Sequence, residues 1–204
     1  AFFETNGYIK IPGVVEPAKC RAVIDAAFDF LEMDPANPDD WYRPPLTPGG
    51  MIEMFQHQAL WDNRQDPALH EIFTDLWGTE QLWVSIDRAN VKVPVRPDKP
   101  GWDYAGFLHL DADINQLPIA FGLQGVLYLA DTSESQGGFK CLPGWHKKTD
   151  EWVRIAKLPK DEFGREVATL PVQSIPGQAG DFLIWHRALP HGNGKNLSDR
   201  PRFA

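Results

Sequence analysis

Cysteine is scarce in this chain: two in 204 residues, Cys20 and Cys141, far apart in sequence. A secreted disulfide scaffold normally carries more, so the pair points to a reducing, cytoplasmic setting. No apolar run approaches the length of a membrane-spanning helix, and no membrane partner is expected. Positive charge is also short, with 20 Lys and Arg against 28 Asp and Glu and a formal charge of −8. The basic residues are scattered, and phosphate binding needs a concentrated positive field, so no nucleic-acid partner is expected. Repeats and low-complexity tracts are absent. Large rings are plentiful, with eight Trp and twelve Phe. Rings line cores and small-molecule pockets, and 43% hydrophobic residues suffice for one well-buried core. The expectation is a single domain over 1–204. Its ends read as trimmed, since Ala1 is not Met and Arg202-Phe203-Ala204 looks like the start of a strand.

Periodicity divides the chain. Gly7 to Val15 alternates weakly and reads as a strand with a turn at Pro12-Gly13. Pro17 suits the first turn of a helix, and Cys20, Val23, Ile24, Ala27, Phe28 and Leu31 follow helical spacing. Residues 34 to 49, rich in proline, read as a long irregular loop. A second helix is predicted over roughly Pro67 to Trp77. After it the period falls to two: Leu82, Val84 and Ile86 alternate, then Val91 and Val93. Strands are also predicted at Phe107 to Asp113, Ile119 to Ala130, Gly138 to Leu142, Ala168 to Ile175 and Phe182 to Trp185. Helices followed by many short strands indicate an antiparallel sandwich or barrel.

Of the six histidines, His109 alone has an acid two places on, Asp111. Such a match is expected about once by chance in so acidic a chain. Its placement on a strand gives it weight, because residues i and i+2 share a face and can converge on one metal. The third donor would come from Gly180 to Gly194, where an apolar strand breaks and His191 precedes two glycines. Two His and a carboxylate on one face of an octahedron leave three positions for a co-substrate and O2. A structural zinc site would close four tetrahedral positions, usually with thiolates, and the cysteines lack that spacing. Arg202, eleven residues after His191, could bind the far carboxylate of a dicarboxylate co-substrate through two parallel hydrogen bonds. Arg200 competes for that part.

The pattern resembles the phytanoyl-CoA dioxygenase family in four blocks. These are FFETNGYIKIPGVV at 2–15, FLHLD at 107–111, LADTSESQGGFKCLPGWHK at 129–147, and the run from Gly180 to Arg202. Trp145 stands where Ser or Thr is usual, and Val126 stands near the place of a usual Trp. The resemblance implies a mainly β, double-stranded β-helix (jelly-roll, cupin-like) fold with flanking N-terminal helices. It also implies Fe(II), with 2-oxoglutarate and O2 as co-substrates. By matching positions, His109, Asp111 and His191 are the metal ligands and catalytic core, Arg202 holds the distal carboxylate of 2-oxoglutarate, and Asn193 assists it. The expected reaction is hydroxylation of an unactivated C–H in a small organic or acyl substrate, releasing succinate and CO2. Asp111 fills the place a halide would need, which favours a hydroxylase over a halogenase.

Two other classes compete: a cupin-like metalloenzyme that needs no 2-oxo acid, and a catalytically silent ligand-binding jelly roll. Arg202 argues against the first and the intact triad against the second. Asp113 shares the parity of His109 and Asp111 but ranks below Asp111. His146 reads as hydrogen-bonding its own turn, and His186 as lying behind the site or in the core. Lys92 and Arg96 are either anion contacts or solvated strand ends, with solvation the default. Gln124 and Tyr128 either line the pocket or pack in the core. The basic residues Lys140, Lys147, Lys148, Arg154, Lys157 and Lys160 read as a solvated face rather than a CoA site.

Overall fold

The computed structural model of the protein describes residues 1–156 and 169–204. Short helices lead: α1 (Phe2–Asn6), α2 (Pro17–Leu31), α3 (Gln58–Arg64) and α4 (Pro67–Trp77), with β1 (Tyr8–Ile11) between the first two. Strands β2 (Val91–Lys92), β3 (Leu123–Leu127) and β4 (Phe139–Cys141) follow, then α5 (Thr149–Ala156). The chain closes through β5 (Gln173–Ser174), β6 (Phe182–His186), β7 (His191–Asn193) and β8 (Arg202–Phe203). Three small sheets form, in the orders β1–β6–β3, β5–β4–β7 and β2–β8, and each ladder is antiparallel.

Strand alternation sorts the core. On β6, Phe182 and Ile184 join the N-terminal helices in one apolar cluster. Leu183 and Trp185, on the other face, pack with Tyr8, Tyr128, Phe139, Cys141 and Leu189 in a second. The first cluster takes Cys20, Val23, Ala27, Phe28 and Leu31 from α2, the stripe its spacing predicts. Both longer helices start where their caps require. Glu16 precedes Pro17 at the head of α2, and the Asp66 side chain accepts from Ala68 N at the head of α4. No helix among the described residues is long and apolar enough to cross a membrane.

Several strands are shorter than predicted, and one is missing. Residues 82 to 86 alternate in sequence but form no ladder, and Trp83 is 98% exposed. They border a groove of about 990 Å³ that runs along β3. Phe107 to Asp113 contributes a single bridge, at His109. It still keeps its two faces: Leu108, Leu110 and Ala112 are buried, and the residues between them are more open. The run from Ile119 to Ala130 is a ladder only over β3. The predicted strand at Ala168 to Ile175 pairs at Gln173–Ser174, and Ala168 lies outside the described residues, as do Lys157 and Lys160. Helices α1, α3 and α5 have no counterpart in the sequence reading. The proline-rich stretch is irregular as expected except for a short 3-10 helix at Pro38–Trp41, and Trp41, Tyr42 and Leu46 belong to the core.

Candidate metal centre and anion pocket

The chain turns sharply after β6, and buried Leu189 anchors the break before β7. His191 then crosses His109. His109 N donates to His191 O at 2.8 Å and His191 N to His109 O at 3.1 Å. Their rings lie 4.6 Å apart. Glycine makes this crossing possible, because a Cβ on Gly192 would sit 2.3 Å from Phe107 O.

Both imidazoles are held in one tautomer. His191 Nδ1 lies 2.9 Å from Leu189 O and His109 Nδ1 3.2 Å from Phe107 O. A carbonyl can only accept, so each Nδ1 carries the proton and each Nε2 presents a lone pair. Asp111 meets both. Its Oδ1 is 3.6 Å from His109 Nε2 and its Oδ2 3.5 Å from His191 Nε2. The three donor atoms all lie within 4.8 Å of one another. While no metal is bound, an imidazole protonated at Nε2 as well can share that proton with Asp111. This hydrogen bond from His191, a second from Gln124 and the charge of the imidazoles in that form hold the Asp111 carboxyl well below the usual carboxylate range, against the cost of burial. A metal takes the place of the proton. Two neutral nitrogens and one ionised carboxylate suit a divalent first-row metal with open positions. Thiolates take no part: burial pushes the Cys141 thiol up to about 12, and Cys20 is also raised.

The remaining histidines are occupied elsewhere. His57 caps α3 by accepting from Ala59 N, and His70 donates to Glu80 O. His146 reaches across to Glu4 O, beyond the turn in which it was expected to bond, and His186 accepts from Ala188 N. Asp113 stands apart from the triad; it accepts from Asn115 and Gln116 in the next turn. Trp145 packs behind the site, beside Leu108, Leu110 and Leu142.

A second cluster is cationic. Lys92 and Arg202 face each other across the β2–β8 ladder, and both are nearly fully buried. Arg202 Nη1 donates to Asn90 Oδ1 at 3.0 Å, while its Nε is buried without a partner. Burial pushes the guanidinium down to about 10. Lys92 goes down to about 8, through burial first and then the charges of Arg202 and Lys140. Its ammonium lies 5.1 Å from the Tyr104 ring. Among the described residues no carboxylate stands within ion-pair reach of either. Arg202 also acts electrostatically on the Tyr128 hydroxyl, and Tyr128 shares its cluster with Trp185, whose ring lies 4.8 Å from that of His191. Lys140, whose charge also bears on Lys92, pairs with Gly192, the residue after His191, so the cations lie toward the strand that carries His191.

Arg200 is exposed and outside this pocket. Arg96 is bound to Asp39 and Asp98 at the surface. Lys92 corrects the solvated default, because pairing with β8 and the Tyr104 ring enclose it. Gln124 faces the site and donates to Asp111 Oδ2 at 2.7 Å, whereas Tyr128 is core, its hydroxyl bonded to Ile175 O. Asn193 lies in β7 two residues after His191, half-buried on the same face. The sequence reading missed Asn90, and also Asn196, whose buried amide donates to Lys92 O and Arg200 O and ties the approach to β8.

Fold and site together define a class: antiparallel strands carrying three thiolate-free donors that could hold a metal, with two buried cations elsewhere on the strands. Residues 3–204 match the family model described as phytanoyl-CoA dioxygenase (PhyH), and the chain belongs to that family. A Dictyostelium discoideum protein bearing the phytanoyl-CoA dioxygenase name is 25% identical, over 100% of this chain and 72% of its own. The crystal structure of SnoK, a non-haem α-ketoglutarate-dependent carbocyclase from nogalamycin biosynthesis, is similar with a TM-score of 0.67 at 22% identity. That likeness covers 99% of this chain and 79% of SnoK. HygX from Streptomyces hygroscopicus, solved with nickel and 2-oxoglutarate bound, is similar with a TM-score of 0.66 at 17% identity, over 98% of this chain and 81% of HygX.

Proposed function

We propose that the protein is an Fe(II)- and 2-oxoglutarate-dependent oxygenase that hydroxylates an unactivated C–H of a small organic or acyl substrate. His109, Asp111 and His191 hold the iron, and Arg202, with Lys92 and Asn193, holds 2-oxoglutarate. The three sheets are read as parts of one double-stranded β-helix domain spanning 1–204. Two buried, unpaired thiols suit a cytoplasmic setting.

One observation carries the reading: Lys92 and Arg202 face each other, nearly fully buried, with no acidic partner among the described residues. Uncompensated buried charge is costly, so it calls for an anion, and a dicarboxylate chelating a metal at one end supplies one. Bound at the triad, iron(II) supplies dioxygen activation coupled to oxidative decarboxylation of the 2-oxo acid. The chain's own groups do the rest. The two Nε2 atoms and the ionised carboxylate would hold the metal through three donors and leave positions for the co-substrate and O2. Asp111 occupies the place a halide would need, which favours hydroxylation over halogenation. Arg202 orients the far carboxylate, and Phe139 and Trp185, packed on the His191 ring, keep water from its flank.

The test is anaerobic addition of 2-oxoglutarate to the Fe(II) protein, with a weak visible absorption band as the expected result. Asp111→Ala should fold normally, lose tight Fe(II) binding by metal analysis and lose the band. Normal iron stoichiometry in that variant would rule the ligand assignment out.

A further inference from the structure

We propose that Gln124 is the positioning residue for the Asp111 carboxylate, its side-chain N–H holding Oδ2 so that the carboxylate offers a metal one oxygen rather than two. The proposal rests on the reading of His109, Asp111 and His191 as a metal site.

Asp111 is the least anchored of the three. Each histidine is fixed twice, by the backbone bridge between them and by its own Nδ1–H on a carbonyl. Asp111 sits in a bend outside any ladder, with its side chain 47% exposed. Its backbone carbonyl accepts from Arg187 Nη2 at 3.3 Å, but apart from the two imidazoles the one donor to its carboxylate among the described residues is Gln124 Nε2, at 2.7 Å. Gln124 is rigidly held in turn. It is the second residue of β3, in register with Trp185 on β6.

The chemistry of the residue fits this task. Gln124 Oε1 is buried and without a partner, so the amide costs the fold stability that an apolar side chain of similar size would not. A purely structural position would favour that apolar residue. The amide is also neutral. A lysine here would compete with the metal for the carboxylate, and an acid would compete with the carboxylate for the metal. With Oδ2 engaged, Oδ1 remains for coordination. A carboxylate binding through both oxygens would take an additional coordination position, leaving too few for a chelating 2-oxo acid together with O2.

The test uses Co(II) as a spectroscopic probe with the full chain. In Gln124→Leu, Co(II) should bind about 10–100-fold more weakly, the range for losing a partner that orients a metal ligand. The melting temperature of the metal-free protein should hold or rise, because an unpaired buried oxygen is removed. Gln124→Met, longer and more adaptable, should repeat both results. 2-Oxoglutarate should also bind the Co(II)-loaded variants more weakly than the Co(II)-loaded parent. Co(II) affinity equal to the parent's overturns the proposal. So does a fall in both affinity and metal-free stability in the two variants, since packing then explains the loss. If the parent itself binds no Co(II), the triad reading fails and takes this proposal with it.

Discussion

At the scale of single residues, the decisive side chain is Arg202. On the proposed reading, replacing it with Ala leaves the far carboxylate of 2-oxoglutarate without its cation at a buried position. Such a loss typically costs about 2–5 kcal/mol, roughly 30-fold to several thousand-fold in affinity. Anaerobic titration of 2-oxoglutarate should show it, with Fe(II) binding intact. Arg202→Lys should recover part, because an ammonium cannot make the two parallel bonds. Arg200→Ala should do little, since Arg200 is exposed. Lys92 yields a prediction with opposite signs for stability and binding. Its folded value is depressed to about 8, so its contribution to stability is present above its unfolded value and is lost as pH falls through about 8. At neutral pH the charged form therefore burdens the empty protein. Lys92→Met should raise the melting temperature at pH 7 and weaken 2-oxoglutarate. In the parent, 2-oxoglutarate affinity should fall as pH rises through about 8, when the ammonium loses its proton, and Lys92→Met should lack that step. A pH-independent parent would show that Lys92 does not face the anion. The triad was legible in the sequence because strand parity and the His191-Gly192 break are local properties. Lys92 was not legible, because its burial comes from pairing with Arg202, 110 residues further along the chain.

At the scale of elements, what could be read depended on whether a segment's partner was implied by its own pattern. Helix α2 was readable because its cap and its stripe lie within one stretch of chain. The β6 strand was readable because apolar residues on both faces suit a strand covered on both sides. Residues 82 to 86 have the alternation of a strand, but alternation states which side chains share a face, not whether a neighbour supplies hydrogen bonds. Helix α3 has seven residues, and its cap is a histidine rather than Ser, Thr, Asp or Asn, so it gave little signal. The crossing of His109 and His191 tests how far elements set the site. Gly192→Ala would force its Cβ against Phe107 O, a backbone atom that cannot swing away. Overpacking of this kind costs about 1–3 kcal/mol. The prediction is a lower melting temperature together with weaker metal binding, because the strands must part. Unchanged metal affinity in that variant would mean that the ligand geometry does not depend on this close approach.

At the scale of the whole molecule, the net charge is −8, yet the buried charges that lack an opposite partner among the described residues include two cations, Lys92 and Arg202. Of the buried acids, Asp181 accepts from Gly13 N and Gln178 N and pairs with Lys10, and Asp66 pairs with Lys19, so both are satisfied by structure. Lys92 and Arg202 are left as the buried charges that an incoming ligand must answer. The groove beside β3 is a different matter. It is bordered by the edge of β3 that pairs with no strand among the described residues, by Trp77 and by Trp83 and Val84, which are 43%, 98% and 46% exposed. An unpaired strand edge beside exposed apolar side chains is a template for adventitious pairing. A chain of these 204 residues should therefore bind the dye ANS in its native state and scatter more light as its concentration rises. Trp83→Lys places charge at the most open of these positions. Since that side chain touches little, stability should change by no more than about 0.5 kcal/mol. Dye binding and scattering should both fall, while 2-oxoglutarate affinity stays that of the parent. If dye binding is unchanged in Trp83→Lys and in Val84→Lys, the dye is reporting another surface and the groove is not the source of association.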